Sequence, residues 1–529
     1  MTEQALQALK DGYTFEGETV DLGIALDGEE PSKETPISIP LSMLNRHGLI
    51  AGATGTGKTV TLQVLAEQLS KAGVPVFASD IKGDLSGIGA SGVESDKLRK
   101  RLDADGQDWQ PHSNPTEFYT LGDSGLGTPL RATVTSFGPI LLSKVLELND
   151  TQESVLSLVF HYADQSGLAL LDLSDLKAVL TFLTSDEGKA DLEGIGGAPK
   201  ATVGVILRKI SELAAQGGDV FFGEPEFDTA DLLRTDDNGA GIVSVLELQK
   251  LSQSPALFST FLMWLLADLF QDLPEVGDPD KPSLVFFFDE AHLLFAGASR
   301  AFLQSVTQTV RLIRSKGVGI FFVTQTPKDV PEDVLAQLGS RIQHQLRAHT
   351  PNDAKALKAT AQTFPKSDYD LEELLTSLGI GEAVVTVMDP DGAPTPVAPT
   401  LMRAPESKMG PMSEDQIKSA VADSPQHEKY GTAIDNESAR EILATRLEGG
   451  SEAHAEKQSS APADAQRRDG SADKIDFPEE SGGSRKKSAK KDDENMFAQV
   501  VKSSAFKQFT RTAAREIARG IFGTSRRRR

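Results

Sequence analysis

The sequence of 529 residues contains no cysteine. This absence excludes disulfide bonds, thiolate metal ligands and cysteine nucleophiles. It also fits a reducing compartment, where disulfides are rare. Because 39% of the residues are hydrophobic, the chain can still bury a sizeable core, and its length allows about two to four domains.

Long hydrophobic runs are missing as well. The segment Met1–Gln7 lacks the basic and apolar regions of a signal peptide. The most apolar window, Phe258–Phe270, is too short to span a bilayer and contains Asp268. We therefore predict a buried helix in this window and a cytoplasmic protein.

Basic residues are fewer than acidic ones, and the formal net charge is −23. The shortage is uneven: residues 485–529 carry 14 Lys/Arg against 4 Asp/Glu, a balance of +10, which leaves −33 for the rest of the chain. A globally acidic chain is a poor non-specific binder of nucleic acid. Any contact with DNA is therefore expected to use a local basic surface, the interior of a ring or the C-terminal tail.

The sequence does contain a glycine-rich stretch, Gly52–Thr59, that fits the phosphate-binding pattern G-x-x-x-x-G-K-[ST] at every fixed position. The apolar run before it predicts a strand and residues 60–69 predict a helix, which is the context that the motif needs. Glycines let backbone N–H groups point at phosphate oxygens, and the helix N-terminus adds partial positive charge. Lys58 can reach the β- and γ-phosphates of ATP, and the Thr59 hydroxyl can ligate Mg²⁺. The predicted nucleotide-binding residues are Gly52, Ala53, Thr54, Gly55, Thr56, Gly57, Lys58, Thr59 and Val60.

Two further apolar runs end in polar residues that suit ATP hydrolysis. The first, residues 283–288, ends in Asp289 and Glu290. We expect Asp289 to hold Mg²⁺ in its second coordination shell or through water, and Glu290 to polarise the water that attacks the γ-phosphate. The second run, residues 318–324, leads to Gln325, which we predict as a sensor of the γ-phosphate.

Other charged residues leave two interpretations open. Arg314 and Arg341 are candidates for an arginine donated to a neighbouring subunit, although a surface or salt-bridged role suits each equally well. Asp80 and Lys82 follow a predicted strand and lie either near the site or on a surface loop. Arg46 and His47 precede the first motif, where they either touch the nucleotide or belong to a solvated loop.

The composition divides the chain into an α/β core, a helical insertion and a polar tail. The segment after residue 405 has few large apolar residues, so we predict disorder there, interrupted by a short helix near residues 438–447. The last element is amphipathic and basic, and it can lie on anionic lipid, bind a partner protein, contact nucleic acid or pack on the acidic core. The predicted regions are an N-terminal β extension (1–40), an ATPase core (41–90 and 221–404), a mainly helical insertion (91–220), a disordered linker (405–493) and a C-terminal helix (494–529).

The order of these motifs resembles that of the HerA–FtsK class of P-loop ATPases, and most closely the HerA-like helicase-domain proteins of bacteria. The resemblance rests on residues 45–59, 286–292 and 323–330. It implies a RecA-like core with a mostly parallel sheet, a hexameric ring and ATP-driven movement along double-stranded DNA. It also implies a site shared between subunits, with an arginine supplied by the neighbour.

Three functions are compatible with the sequence. The first is an ATP-hydrolysing motor on DNA, and the second is an ATPase that remodels or moves protein at a membrane surface. The third is a nucleotide switch with little turnover, which Glu290 argues against because a switch does not need a poised carboxylate. Stimulation of ATP hydrolysis by DNA would separate the first function from the second.

Overall fold

The computed structural model describes residues 3–122, 125–249, 255–295 and 300–447. The strands in these ranges belong to one sheet. The strands are β1 (Thr19–Asp27), β2 (Glu30–Pro40), β3 (Gly48–Ala51), β4 (Val76–Asp80), β5 (Thr116–Leu121), β6 (Thr128–Leu130), β7 (Val243–Glu247), β8 (Leu284–Phe288), β9 (Val318–Thr324), β10 (Ser340–His344), β11 (Glu382–Thr386) and β12 (Ala398–Met402). Their spatial order is β2-β1-β12-β11-β10-β3-β9-β8-β4-β7-β5-β6.

Helices cover both faces of this sheet. They include a group that follows β6 and packs into a bundle beside the core. The helices are α1 (Glu3–Gly12), α2 (Lys58–Lys71), α3 (Asp96–Asp105), α4 (Val134–Val145), α5 (Asp150–Gln165), α6 (Leu173–Thr184), α7 (Lys189–Gly194), α8 (Lys200–Ala215), α9 (Pro255–Asp272), α10 (His292–Phe295), α11 (Arg300–Ile313), α12 (Glu332–Leu335), α13 (Pro351–Ala361), α14 (Leu371–Ser377), α15 (Glu414–Ala422) and α16 (Pro425–Tyr430).

The strands from β10 to β6 in this order run parallel to one another. Every residue of β8 and β9 is buried, as expected for continuous apolar strands with helices on both faces. The predicted mostly parallel α/β sheet is therefore confirmed. Because the carboxyl ends of parallel strands meet at one edge, the residues that follow them are brought together there.

The remaining strands, from β2 to β10 in the spatial order, pair antiparallel. β11 pairs with β10, β12 with β11, β1 with β12, and β1 with β2. The β1–β2 hairpin agrees with the β structure expected before residue 40. The sheet continues beyond β11 through β12 and this hairpin.

The predicted helical insertion needs a correction at its start. Residues 116–121 and 128–130 form β5 and β6, which extend the parallel sheet beyond β7. The helical bundle itself begins at α4, and its first helices carry local caps: Asn149 and Gln152 form a capping box at α5. The helix α9 is buried, as predicted, with Trp264 1% exposed. No helix in the described ranges is long and apolar enough to cross a bilayer.

A second correction concerns residues 403–447, called the C-terminal strap below. The composition predicted disorder from residue 405 apart from a short helix near residues 438–447. That helix is present over residues 439–447, but the strap also contains α15 and α16. Its large side chains Tyr430 and Leu443 are buried in the core, at 1% and 2% exposed. Backbone N–H groups of Glu406 and Ser407 also donate to the buried Glu67 carboxylate, at 2.8 and 3.1 Å. The rest of the predicted linker and the C-terminal helix at 494–529 lie outside the described residues.

Candidate nucleotide-binding site

The phosphate-binding loop connects the buried strand β3 to the helix α2 at the carboxyl edge of the sheet. Gly55 and Gly57 have φ of 82° and 119°, which glycine adopts at little cost and other residues rarely adopt. A Cβ on Gly52 would lie 2.5 Å from the Cβ of His344. The glycine pattern is thus required both by the backbone conformation and by close packing.

Three neighbouring segments hold this loop. The Gly52 N–H donates to the carbonyl of Thr324 at 3.2 Å, and the Ala53 N–H donates to the carbonyl of Gln345 at 2.8 Å. On the other side, the carbonyl of Thr56 accepts from the N–H of residue 381 at 2.9 Å. The N–H groups in the first turn of α2 have no partner within the helix, so they are directed at the loop interior. The loop is therefore preorganised for a group with several oxygen acceptors.

Lys58 lies inside the loop and is only 6% exposed. Its ammonium donates to the carbonyls of Gly52 and Ala53 at 2.8 and 3.2 Å. Burial lowers the pKa of Lys58 from its usual value, while the nearby Glu290 charge acts to raise it. The structure therefore places one cation at the loop, as the motif predicts.

Asp289 and Glu290 follow β8 at the same edge and are 2% and 4% exposed. The Glu290 N–H donates to Asp289 Oδ1 at 2.9 Å, and Glu290 has a positive φ of 48°. Burial, and then the Glu290 charge, raises the pKa of Asp289 to about 7. Two buried carboxylates side by side need cations nearby to stay ionised at neutral pH.

One such cation is Lys82, which follows β4 and forms an ion pair with Glu290 Oε1. Burial lowers and the contact with Glu290 raises the pKa of Lys82, with a net upward shift. His292 Nδ1 lies 3.1 Å from the other Glu290 oxygen. Of the two interpretations of Lys82, the structure supports a place in the site.

Two more buried acids lie beside this pair. Asp80 ends β4 and accepts the N–H groups of Gly83 and Leu85 at 2.6 and 2.8 Å, which shapes the loop that carries Lys82. Burial raises the pKa of Asp80 to about 6. Its register partner on β7 is Glu247, whose pKa is raised to about 7 by burial and by Asp80. Sequence reasoning missed Glu247, although its position at the end of an apolar strand was a usable signal.

Gln325 follows β9, between the loop strand β3 and β8, and its side chain is exposed. The turn around it is fixed, because the Thr324 hydroxyl and the Thr326 N–H both donate to Asp329 Oδ2 at 2.9 Å. Gln325 is thus at the same edge as the loop and the two carboxylates.

The two candidate arginines are not at this edge. Arg314 precedes β9 and pairs with Asp278 at 3.0 Å. Arg341 is the second residue of β10 and donates to the carbonyl of Thr363 at 2.9 Å. Both lie at the amino ends of strands, roughly 15 Å from the carboxyl ends for a strand of about five residues. Neither reaches the phosphate-binding loop of its own chain.

Arg46 and His47 also lie at the amino edge, before β3. His47 is buried, with Nε2 2.7 Å from the carbonyl of Val310, and its Nδ1 accepts the Ile320 N–H at 3.1 Å. Burial lowers the pKa of His47 to about 4. The arginine pairs with Asp278 at 3.4 Å. Neither earlier interpretation of His47 fits the structure, because it is buried between two core elements at the edge opposite the phosphate-binding loop.

The end of β10 and the segment after it contribute two residues that lie against the loop and were not predicted. His344 packs on Gly52 and bonds to the Thr61 hydroxyl at 2.9 Å. Arg347 is exposed, and its guanidinium lies 3.5 Å from the carbonyl of Thr54. Neither belongs to a recognised motif, so only the strand order β10-β3 could have indicated them.

A phosphate-binding loop and a buried acidic pair that meet at one edge of a mostly parallel sheet define a P-loop ATPase. The family model "Helicase HerA-like C-terminal" matches residues 26–529. The chain belongs to this HerA-like helicase family, which confirms the resemblance noted in the sequence.

Curated relatives agree with this assignment. The chain is 22% identical over 382 residues to "DNA double-strand break repair helicase HerA" of Saccharolobus solfataricus, covering 72% of this chain and 68% of the relative. A protein of the same name from Sulfolobus acidocaldarius is 23% identical over 360 residues, covering 66% and 64%. The chain thus spans about two thirds of the length of these relatives.

Solved structures show more distant likenesses. The conjugative coupling protein TrwBΔN70 is 16% identical, with a TM-score of 0.49, covering 75% of this chain and 92% of that chain. VirB4 of Thermoanaerobacter pseudethanolicus is 16% identical, with a TM-score of 0.47, covering 74% and 97%. At this distance we assign no residue role from either structure.

Proposed function

We propose that this chain is an ATP-driven motor that moves along double-stranded DNA. The observation that carries the proposal is the meeting of the phosphate-binding loop with the buried Asp289–Glu290 pair at one sheet edge. Membership of the HerA-like helicase family supports DNA as the polymer. The relatives named above are described as DNA-repair helicases, which agrees with this choice.

The loop residues 52–60 would bind the phosphates of ATP, with Lys58 on the β- and γ-phosphates. The oxygen donors Thr59 and Asp289 suit Mg²⁺. Among the residues that the structure describes, no cluster of His, Cys, Asp or Glu could hold a metal alone. Such an ion would share its ligands with phosphate oxygens and water, and it would neutralise developing charge on the phosphates.

Glu290 would accept a proton from the attacking water. Lys82 forms an ion pair with this buried carboxylate and so fixes its position in the site. Gln325, at the end of the strand between the loop and the acidic pair, would contact the γ-phosphate and report its loss.

We also propose a ring of subunits, a hexamer in the family pattern, in which Arg314 or Arg341 serves the neighbour's site. Their position at the edge opposite their own loop supports a role between subunits. The test mixes inactive Lys58→Ala subunits with inactive Arg314→Ala or Arg341→Ala subunits. Recovery of ATP hydrolysis on mixing is expected for the arginine that acts between subunits, because a mixed interface pairs an intact loop with an intact arginine.

The exposed Arg99, which pairs with Glu94, provides the matched control. The Arg99→Ala variant should hydrolyse ATP at the wild-type rate without mixing. If neither arginine variant loses activity alone, or no mixture recovers it, the shared-site proposal is wrong.

The net charge of −23 restricts where DNA can bind. The tail from Arg485 onward carries +10 and is the basic segment that the sequence offers for DNA capture. The experiment is steady-state ATP hydrolysis with and without double-stranded DNA at low and moderate salt, for the full chain and for one ending at Ser484. We expect stimulation that falls with salt. Loss of stimulation in the shorter chain would assign capture to the tail, and hydrolysis indifferent to DNA in both chains would contradict the proposal.

A further inference from the structure

The turn between α14 and β11 lies beside the phosphate-binding loop and carries an exposed isoleucine, Ile380. Ile380 is 72% exposed, whereas Leu378, two residues earlier, is 4% exposed in a separate core cluster. A single exposed apolar side chain is common on protein surfaces. The rigidity of this turn and its place in the site are what give Ile380 significance.

Gly381 ties the turn to the loop and to the rest of the core. Its N–H donates to the carbonyl of Thr56 at 2.9 Å, and its carbonyl accepts from Arg101 at 2.7 Å and from the Met402 N–H at 2.9 Å. The turn also closes on itself, because the Glu382 N–H donates to the carbonyl of residue 379 at 3.2 Å. The backbone on either side of Ile380 is therefore held next to the loop before any ligand binds.

The strand order indicates which part of a nucleotide would reach this turn. The groups suited to the terminal phosphate, Glu290 after β8 and Lys82 after β4, lie on one side of the loop strand β3. The sugar and base must then extend toward the other side, where β10 and β11 lie. Ile380 precedes β11, and Arg347 follows β10 with its guanidinium 3.5 Å from the carbonyl of Thr54.

We infer that Ile380 is the platform on which the base of the bound nucleoside triphosphate packs. The flat face of a purine is largely apolar, and an aliphatic side chain held at a fixed position covers it without a hydrogen-bond requirement. Arg347 borders the same route, where a cation suits the phosphate nearest the sugar. This inference rests on the proposed function, since it assigns the base end of the same nucleotide site.

The test compares two ligands that share phosphates and differ in the base. The affinities of ATP and of inorganic tripolyphosphate, each with Mg²⁺, are measured by calorimetry for the full chain and for Ile380→Asp and Ile380→Leu. We expect Ile380→Asp to weaken ATP about tenfold, as for the loss of one partly buried aliphatic contact, and to leave tripolyphosphate unchanged. Ile380→Leu should bind ATP like the wild type. Ile434, 51% exposed in the C-terminal strap, provides the matched control, and Ile434→Asp should bind both ligands normally.

Two results would overturn the inference. Unchanged ATP affinity in Ile380→Asp would show that the base does not contact this side chain. An equal loss for ATP and tripolyphosphate would show that the turn only shapes the phosphate-binding loop. If the wild-type chain bound neither ligand, the proposed function itself would fail, and that failure appears before any variant is made.

Discussion

His344 gives a quantitative test of the packing behind the phosphate-binding loop. Its Nδ1–H donates to the carbonyl of Glu382 and its Nε2 accepts from the Thr61 hydroxyl, both at 2.9 Å. Because a carbonyl can only accept, Nδ1 carries a proton, and in the neutral ring the Thr61 hydroxyl is the donor to Nε2. Burial, opposed by the bond to Glu382 and assisted by the charges of Lys58 and Arg101, lowers the pKa of His344 to about 4.

The sign of the pH effect follows from this lowered pKa. An unfolded histidine takes up its proton near pH 6.5. In the folded protein His344 is protonated only near pH 4. Its contribution to the unfolding free energy is therefore fully present above pH 6.5 and is lost as the pH decreases toward 4. By linkage, this one side chain removes about 2 kcal/mol of unfolding free energy between about pH 8 and about pH 5.

The assay is urea-induced unfolding of the wild type and His344→Gln across this pH range. At pH 8 the variant should be less stable by about 1–3 kcal/mol, because one buried hydrogen bond is lost. Glutamine does not titrate, so the gap between the two proteins should narrow by about 2 kcal/mol at pH 5. The buried acids Asp80 and Glu247, whose raised pKa values act in the opposite direction, are present in both proteins and cancel. A gap that stays constant would refute the neutral-histidine argument.

Three further predictions test the site and the strap. Glu290→Gln should bind ATP with Mg²⁺ normally but lose at least about a hundredfold in single-turnover hydrolysis, because an amide cannot accept the proton of water; near-normal turnover would remove Glu290 from that role. Lys82→Met should lower kcat more than it raises KM, because the buried Glu290 loses its cation, with partial rescue in Lys82→Arg; an unchanged kcat would show that the ion pair does not position the carboxylate. Tyr430→Ala should lower the unfolding free energy by about 3–5 kcal/mol, because a buried ring beside Phe227 is deleted; a loss as small as that of the exposed Ile434→Ala would show that the strap is not part of the fold.

The sequence was sufficient for the parts of the site that depend on local pattern. The loop residues 52–59 and the strands before Asp289 and Gln325 follow from short motifs and uninterrupted apolar runs. Since parallel strands share one carboxyl edge, placing these residues together required only the alternation of strands and helices. The fold class and the family could be predicted for the same reason.

Contacts between distant segments could not be predicted in this way. The strap looks too polar to fold, and it is ordered by partners such as Glu67, more than three hundred residues earlier in the chain. His47 lies close to the loop in sequence but at the opposite edge in space, because β3 separates the two ends. Arg347 and Ile380 carry no motif, and their place beside the loop depends on the strand order β11-β10-β3.

The most direct test of the central claim is displacement of a third DNA strand from a triplex built on double-stranded DNA. The full chain is supplied with ATP and Mg²⁺, and Glu290→Gln serves as the matched control that binds ATP without hydrolysing it. A motor on double-stranded DNA should release the third strand with the wild type and not with the variant. Release that is equal in both proteins, or hydrolysis of ATP by the wild type with the third strand left in place, would contradict the account.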